Sequence, residues 1–346
     1  MNPPSGSASR QKKLFRWGIS LLSLLVLTVV AFVLGMSAGE LDISVWDVPR
    51  ILAEKEGVEY VVLTRIRLPR IILAIAAGGG LSLSGAVLQG IYRNPLVEPF
   101  TLGISGGAAL GVALAIVFTL PAVLGAFALP LAGFSGALLA IVFVYVLGAR
   151  FGQVNVNNML LIGVMVSFVS SSVMMLMMSL ATAQNLHSII FWMMGSLDEP
   201  NSMLIRLTLI VSVSSLVVAS FFSRALNALR LGEANAWHLG INTGLTIRVM
   251  FLLASLVAGV CVASTGVIGF VGLVIPHLVR VLAGSDYRIL LPASFLGGGI
   301  FLIICDAIAR TIIAPNELPI GVITGIAGGI MFIVFLSRSK STLKVN

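Results

Sequence analysis

The residues of this chain that could do chemistry are few, and their spacing excludes two common kinds of active site. A phosphate-binding P-loop places a glycine directly before its lysine, and no lysine in the sequence follows a glycine. The three histidines, His187, His238 and His277, are far apart and lack the HExxH spacing of a zinc protease. We therefore predict no catalytic residue, no metal site and no bound cofactor, and the chain should not hydrolyse ATP itself.

Arginines form the first candidate site. Arg65, Arg67 and Arg70 lie just before a long uncharged run, and Pro69 favours the start of a helix there. With the topology derived below, they lie outside the membrane, where basic residues are normally scarce. Two explanations are open: the arginines bind carboxylates of an external protein, or acidic residues of the preceding loop neutralise them. Those acidic residues are Glu54, Glu56 and Glu59.

The second candidate site is the stretch LGEANAWHLG at residues 231–240. Leu231, Ala234, Trp237 and His238 have the spacing of one helical face, which predicts a short surface helix with a partly apolar side. The surrounding arginines favour a cytoplasmic position for this helix. It could dock to a soluble partner or lie on lipid headgroups, and composition alone does not separate these alternatives.

The elements that must position these residues are strongly apolar. Of the 346 residues, 58% are hydrophobic and only 10% are charged, whereas a soluble domain carries about 25% charged residues. This composition excludes an ordinary soluble enzyme, a disordered protein and a nucleic-acid binder, despite the net charge of +8. A helix needs about 20 residues to cross a bilayer, and the uncharged runs predict ten spans. They fall within 17–39, 71–92, 99–149 (two spans), 151–197, 207–223, 249–279 (two spans), 289–305 and 318–337.

The distribution of charge predicts the topology. An even number of spans puts both termini on the same side, and both termini are basic. If they are cytoplasmic, the inside holds 14 of the 21 basic residues and only 3 of the 13 acids, as the positive-inside rule requires. We therefore predict a cytoplasmic tail at 1–16, a transmembrane domain at 17–337 and a cytoplasmic tail at 338–346, in the inner or plasma membrane of the cell.

Two regularities of spacing concern helix packing. Double GxxxG patterns, which let helices approach closely, predict packing within the chain rather than a dedicated dimer face. They consist of Gly103, Gly107 and Gly111, and of Gly321, Gly325 and Gly329. Separately, Gly85 precedes Pro95 by ten residues, and Gly266 precedes Pro276 by the same ten. This hints at an inverted repeat of the kind found in secondary carriers, with coincidence as the alternative.

A long stretch of the sequence resembles a known family. Residues 67–111, RLPRIILAIAAGGGLSLSGAVLQGIYRNPLVEPFTLGISGGAALG, resemble the signature of the FecCD family of ABC-importer permeases. The resemblance covers nearly the whole chain after its first residues, with the motifs in the same order. The further motifs are FWMMGS (191–196), LRLGEANAWHLGIN (229–242), GVIGFVGLVIPHLVRVLAGSDYRILLP (266–292) and DAIARTIIAPNELPIGVITG (306–325). The family carries ferric siderophores, haem or cobalamin, and a few relatives carry oxyanions such as molybdate.

The resemblance implies an all-α polytopic membrane protein with type II ABC importer architecture. Two copies would form a homodimer around the pathway, with two cytoplasmic ABC ATPase subunits below, which use the ATP. One periplasmic or lipid-anchored binding protein would dock above, and lipid rather than nucleic acid would surround the chain. The implied function is ATPase-driven import of an iron chelate (ferric siderophore or haem) or of cobalamin. The alternatives are an oxyanion permease and an ion-gradient-driven secondary transporter, which the lack of mid-span acids disfavours.

The resemblance also implies roles for individual residues. The coupling helix maps onto Leu231, Gly232, Glu233, Ala234, Trp237, His238, Leu239 and Gly240. The arginines that dock the binding protein map onto Arg67, Arg70 and Arg310, and Asp306 could hold Arg310 by an i,i+4 pair. The cytoplasmic gate maps onto Asn94, Leu96, Val156 and Asn157. The pathway lining maps onto the fifth span, at Ser171, Met174, Met175 and Met178.

Overall fold

The computed structural model describes residues 6–41, 43–148 and 156–342, and within these ranges the chain is helical without a β-strand. The long helices are α1 (Gly6–Ser37), α4 (Leu68–Tyr92), α5 (Ile104–Val117), α7 (Ala128–Gly148), α8 (Val156–Leu180), α10 (Ser202–Phe221), α13 (Thr243–Thr265), α14 (Val271–Ala283), α15 (Tyr287–Thr311) and α16 (Ile320–Thr342). The short ones are α2 (Val48–Glu54), α3 (Gly57–Val61), α6 (Pro121–Leu124), α9 (Ala183–Met193), α11 (Ser223–Leu229) and α12 (Glu233–His238), with a π-helical turn at Val62–Arg67 and 3-10 turns at Pro99–Leu102 and Gly125–Phe127.

The ten long helices correspond to the ten predicted spans. Seven are long and apolar enough to cross a membrane, and the apolar parts of α5, α14 and α16 are shorter. The predicted division of 249–279 into two spans is confirmed, because α13 ends at Thr265 and α14 begins at Val271. The predicted tails differ in extent: α1 already begins at Gly6 and α16 continues to Thr342, while residues 1–5 and 343–346 lie outside the described part of the chain.

The inverted repeat inferred from spacing is wrong at these positions. Gly85 lies in the interior of α4, whereas Gly266 ends α13 with a positive φ of 68°. Pro95 follows α4 in a loop, whereas Pro276 lies inside α14. The two segments have different local structures, so the shared ten-residue spacing does not mark equivalent positions.

The centre of the bundle is α4, which is buried along almost its whole length and contacts α10, α13, α14 and α15. Glycines allow these contacts to be very close. A Cβ on Gly78 would lie 2.3 Å from the carbonyl oxygen of Gly298 on α15, and one on Gly85 would lie 1.8 Å from that of Gly272 on α14. Any side chain at these positions would force the helices apart.

The two GxxxG patterns have different environments. Gly107 and Gly111 pack within the chain, because an added Cβ would lie 2.5 Å and 2.3 Å from backbone oxygens of α7. Gly325 and Gly329 have open space within 4 Å of the position of a Cβ. The prediction of packing within the chain is therefore confirmed for α5 and for Gly321, where a Cβ would lie 2.4 Å from the carbonyl oxygen of Met194, and wrong for Gly325 and Gly329.

Charged side chains are concentrated at the helix ends on two opposite sides of the bundle. We call the end that holds the turn between α14 and α15 the basic end. There Asp286 accepts from Lys13 of α1 (3.0 Å) and from Asn227 of α11 (2.8 Å). Burial alone would raise the pKa of Asp286, but these hydrogen bonds outweigh it and hold the pKa below its usual range. The opposite end holds the start of α4 and the end of α15.

Candidate functional site

The predicted arginine cluster lies at the opposite end, and its first member fixes the end of α1. Arg67 is only 2% exposed. It donates to the carbonyl oxygens of Met36 (2.6 Å), Ser37 (2.8 Å) and Leu41. Carbonyls at the end of a helix have no partner within the helix, so Arg67 satisfies groups that would otherwise need water.

The other two arginines converge on one carboxylate. Arg70 of α4 lies 2.9 Å from Asp306 Oδ1, and Arg310 lies 2.9 Å from Asp306 Oδ2. The predicted pair between Asp306 and Arg310 is therefore confirmed. Arg70 also binds Glu317, with 2.8 Å between Nη1 and Oε2, and Arg310 donates to the carbonyl oxygen of Ala38 (2.7 Å). The cluster thus joins α1, α4, α15 and the segment before α16.

The arginines predicted to dock an external protein, Arg67, Arg70 and Arg310, are buried in the fold, and their docking role stays a prediction. All three are at most 6% exposed, and the carboxylates that neutralise Arg70 come from Asp306 and Glu317 rather than from Glu54, Glu56 or Glu59. A buried charge without a partner is costly, so the fold supplies its own carboxylates. Glu317, whose side chain is 48% exposed, is the part of the cluster that faces outward. Glu317 was not among the docking residues that the family resemblance implied. Its position within the family motif DAIARTIIAPNELPIGVITG could have pointed to it.

The predicted surface helix is present as α12, at the basic end. Large apolar side chains on the helix and next to it point outward: Trp237 is 64% exposed, and Leu231 and Leu239, just outside the helix, are 62% and 64% exposed. Ala234 and His238 are exposed as well. Exposed aromatic and aliphatic side chains on a short helix are typical of a docking surface.

The inner side of α12 attaches it to the bundle. Ala236 is fully buried and packs into the main core. Gly232 has a φ of +103°, which allows the sharp turn into the helix, and Gly240 has a φ of +80° just after it. Glu233 lies 3.7 Å from Arg93, the residue that follows α4. A short helix bounded by two such glycines can move as one body with few contacts to break.

The predicted gate residues fall in two segments, the loop after α4 and the start of α8. The gate loop, residues 93–98, connects α4 to the 3-10 turn Pro99–Leu102. Asn94 closes it locally, because its side-chain oxygen accepts from the backbone of Leu96 (2.9 Å), and Leu96 is 52% exposed. Of the other predicted pair, Val156 is buried and Asn157 is exposed at the start of α8, while residues 149–155 lie outside the described part of the chain.

The gate loop contains an acid that sequence reasoning did not single out. Burial raises the pKa of Glu98 to about 7, although a hydrogen bond from the backbone of Phe270 opposes the shift. Its carboxyl group therefore titrates near neutral pH. The signal in the sequence was weak, because Glu98 looked like one of only three acids on the predicted inner side.

The residues of the predicted pathway lining differ in exposure, and their role stays a prediction. Met174 is only 8% exposed and, together with Met178, packs against α5 and α9 inside the subunit. Ser171 is half-buried, and Met175 alone of the predicted set is open, at 69% exposure. Helix geometry explains why Met175 alone is exposed, since positions 171, 174 and 178 lie on one face of the helix. The exposed face of α8 consists of Leu161, Met165, Phe168, Val169, Met175, Leu176 and Leu180.

Comparisons with known proteins agree with this arrangement. The model of the FecCD transport family matches residues 27–338. The chain is 38% identical over 279 residues to the hemin transport system permease protein HmuU of Yersinia pestis, covering 80% of this chain and 83% of that protein. It is 35% identical over 333 residues to the vitamin B12 import system permease protein BtuC of Salmonella typhi, covering 95% and 97%.

Solved structures show the same fold. A metal-chelate type ABC transporter in an inward-facing conformation matches with a TM-score of 0.80 and 32% identity, covering 93% of this chain and 99% of that one. The likeness to PsaBC from Streptococcus pneumoniae, with a TM-score of 0.54 and 16% identity, concerns the fold alone. The ten long helices are therefore arranged as in a type II ABC importer permease.

Proposed function

Because the chain belongs to the FecCD transport family, we propose that it is the membrane-spanning subunit of a binding-protein-dependent ABC importer. The single observation that carries this proposal is the exposed apolar surface at α12 on the basic end, formed by Trp237 of the helix and by Leu231 and Leu239 on either side of it. Two separate ATPase subunits bind α12 in two copies of the chain and hydrolyse the ATP. They thereby move the bundle between its inward-open and outward-open states. The chain itself binds no cofactor, and its basic end faces the cytoplasm, as the positive-inside rule requires.

The cargo we propose is an iron chelate, such as a ferric siderophore or haem, or cobalamin. The named relatives that transport hemin and vitamin B12 support this class. The exposed face of α8 supports it too, because the helix has no charged residue and, apart from Asn157, Asn158, Ser172 and Ser179, its exposed side chains are apolar. Such a wall contacts a bulky, partly apolar chelate weakly. An oxyanion would instead need basic or hydrogen-bonding groups along the pathway.

We propose that two copies assemble as a homodimer around this face. The open glycines of α16, Gly325 and Gly329, support a close contact with another helix, and their neighbours Ile326 and Ile330 are 57% and 59% exposed. In lipid, small residues let backbones approach each other, which is a main source of helix association. Replacing Gly329 with leucine should weaken the dimer, while Gly18, which is equally open on α1, serves as the control position.

The binding protein docks at the opposite end by a carboxylate exchange. A carboxylate of that protein displaces Glu317 from Arg70, which keeps its charge neutralised throughout. The half-exposed position of Glu317 and the buried position of Arg70 support this order of events. Glu317→Gln should therefore strengthen docking several-fold, since a neutral amide competes less well for a guanidinium. Glu54→Gln, at another exposed acid, should leave docking unchanged, and weaker docking of Glu317→Gln would contradict the exchange.

The function is tested by uptake into proteoliposomes that contain the permease, its ATPase subunits and the binding protein. Haem, a ferric siderophore, cobalamin and molybdate are offered separately. The proposal predicts uptake of one of the first three that depends on the binding protein. Uptake of molybdate alone would make the chain an oxyanion permease.

A further inference from the structure

The basic end contains a polar pocket that shares Arg93 and Pro95 with the gate loop and has no ligand in the roles given above. It has a volume of about 210 Å³ and lies beside the gate loop and the turn between α14 and α15. Three arginines line it: Arg93 after α4, Arg230 after α11 and Arg280 in the last turn of α14. They come from distant parts of the sequence, so only the fold brings them together.

The positive charge of this pocket is poorly neutralised. Arg230 donates to the carbonyl oxygen of Ser285 (2.6 Å) and Arg280 to the side-chain oxygen of Gln89, and neither has an ion pair among the described residues. The nearest acid to Arg93 is Glu233, at 3.7 Å and largely exposed. Asp286, which precedes the lining residue Tyr287, is already held by Lys13 and Asn227. Neutral oxygens therefore orient two guanidinium groups whose charge remains available to an anion.

The floor of the pocket is rigid. Gln89 is fixed by donating to the carbonyl oxygen of Gly272 (3.1 Å). Tyr287 is 1% exposed, donates to the carbonyl oxygen of Ala86 (3.4 Å) and receives a hydrogen bond from Arg280. Gly90 makes room for it, since a Cβ there would lie 2.3 Å from the Tyr287 hydroxyl. Arginines held in this way lose little freedom when an anion binds.

We propose that this pocket binds a phosphate group, supplied by the headgroup of an anionic phospholipid. Guanidinium groups bind phosphate oxygens in pairs with good geometry. The pocket lies at the ends of spanning helices, where the anionic headgroups of a cytoplasmic leaflet are found. Directly after Arg280, Val281 and Leu282 are 64% and 67% exposed and offer an apolar surface to the acyl chains. The inference needs the basic end to face the cytoplasm, but it is independent of the cargo and of the ATPase.

The test compares lipid binding of two double variants of the full-length chain. Arg230→Gln with Arg280→Gln removes the pocket charge. Arg224→Gln with Arg248→Gln removes the same net charge from two exposed arginines outside the pocket. Native mass spectrometry of the purified chain, titrated with phosphatidylglycerol or phosphatidylcholine, measures the affinity for each lipid. The wild-type and control proteins should prefer phosphatidylglycerol, and the pocket variant should bind it at least ~10-fold more weakly.

Further arms identify the source of the phosphate and guard against misfolding. Arg230→Lys with Arg280→Lys keeps the charge but loses the planar fork, so its affinity should lie between those of the wild type and the glutamine variant. Inorganic phosphate that binds more tightly than phosphatidylglycerol would keep the phosphate site but overturn the lipid as its source. Unchanged lipid binding by the glutamine variant would overturn the proposal. Unchanged lipid binding combined with lost ATPase binding would instead assign the pocket to an acidic side chain of that partner.

Discussion

The two ends of this permease hold their charged side chains in opposite ways. At the opposite end, Arg70 and Arg310 share Asp306 at 2.9 Å each, and the carboxylate is 2% exposed. At the basic end, the pair between Arg93 and Glu233 spans 3.7 Å, with side chains 46% and 42% exposed. Breaking a buried pair leaves an uncompensated charge, whereas an exposed pair contributes little.

This difference indicates a rigid frame at one end and a movable helix at the other. The arginine cluster fixes α1, α4 and α15 to one another, so they should move as one body. The helix α12 is held by one buried residue, Ala236, by one weak ion pair and by contacts with its neighbours α11 and α13, so a partner can shift it at a smaller cost than the frame. Such a division suits a transporter in which an external motor acts on one end.

The largest expected effect comes from removing the shared carboxylate. Asp306→Ala leaves Arg70 and Arg310 buried without their common partner and should destabilise the protein by about 3–5 kcal/mol. Thermal unfolding of the purified chain in detergent measures this loss. Glu317→Gln is the matched control, because its half-exposed pair should cost about 1 kcal/mol or less. Equal losses for the two variants would mean that the cluster does not form a rigid frame.

The next effect concerns binding rather than stability. Trp237→Ala with Leu239→Ala should weaken binding of the ATPase subunits by about 2 kcal/mol or more, roughly 30-fold, because exposed aromatic anchors dominate docking energies. Unfolding should hardly change, since both side chains are 64% exposed. Leu14→Ala with Phe15→Ala, exposed apolar residues of α1, is the control pair. Pull-down with the purified ATPase measures binding, and unchanged binding would remove α12 from the interface.

The gate loop should respond to pH. The pKa of Glu98, about 7, is above the ordinary value of 4.5, so the folded loop favours the protonated acid. Its stabilising contribution is complete below the ordinary pKa and is lost as pH rises through about 7. Between pH 5 and pH 6, hydrogen exchange of the loop should increase by up to about tenfold more than in Glu98→Gln, and above pH 7 this difference should level off. Identical pH profiles for the two proteins would exclude a titrating Glu98.

The smallest effect is expected at the exposed ion pair. Arg93→Gln should change the free energy of unfolding by less than about 1 kcal/mol, measured by thermal unfolding beside Asp306→Ala. A loss as large as that of Asp306→Ala would erase the contrast between the two ends.

Much of this architecture could be predicted from the sequence, because the bilayer imposes its length on uncharged runs. The division of 99–149 and of 249–279 into two spans each follows from the same limit on helix length. The position of α12 was also predictable, since its face follows from local spacing. These features depend on neighbouring residues alone.

Features that depend on distant contacts could not be predicted. Glu317 lies 247 positions from Arg70 in the chain, so local sequence pointed to the wrong neutralising acids. A methionine-rich helix cannot say which face is open, and Met174 is buried while Met175 is exposed. Likewise, identical GxxxG patterns in α5 and α16 differ only in whether a neighbouring helix of the same chain is present.

One measurement tests directly whether separate ATPase subunits drive transport from the basic end. Proteoliposomes with permease and binding protein are prepared with or without the ATPase subunits, and cargo uptake is followed under ATP or under an imposed ion gradient. We expect cargo uptake only when the ATPase subunits and ATP are both present. Gradient-driven uptake without the ATPase would contradict it and make the chain a secondary transporter.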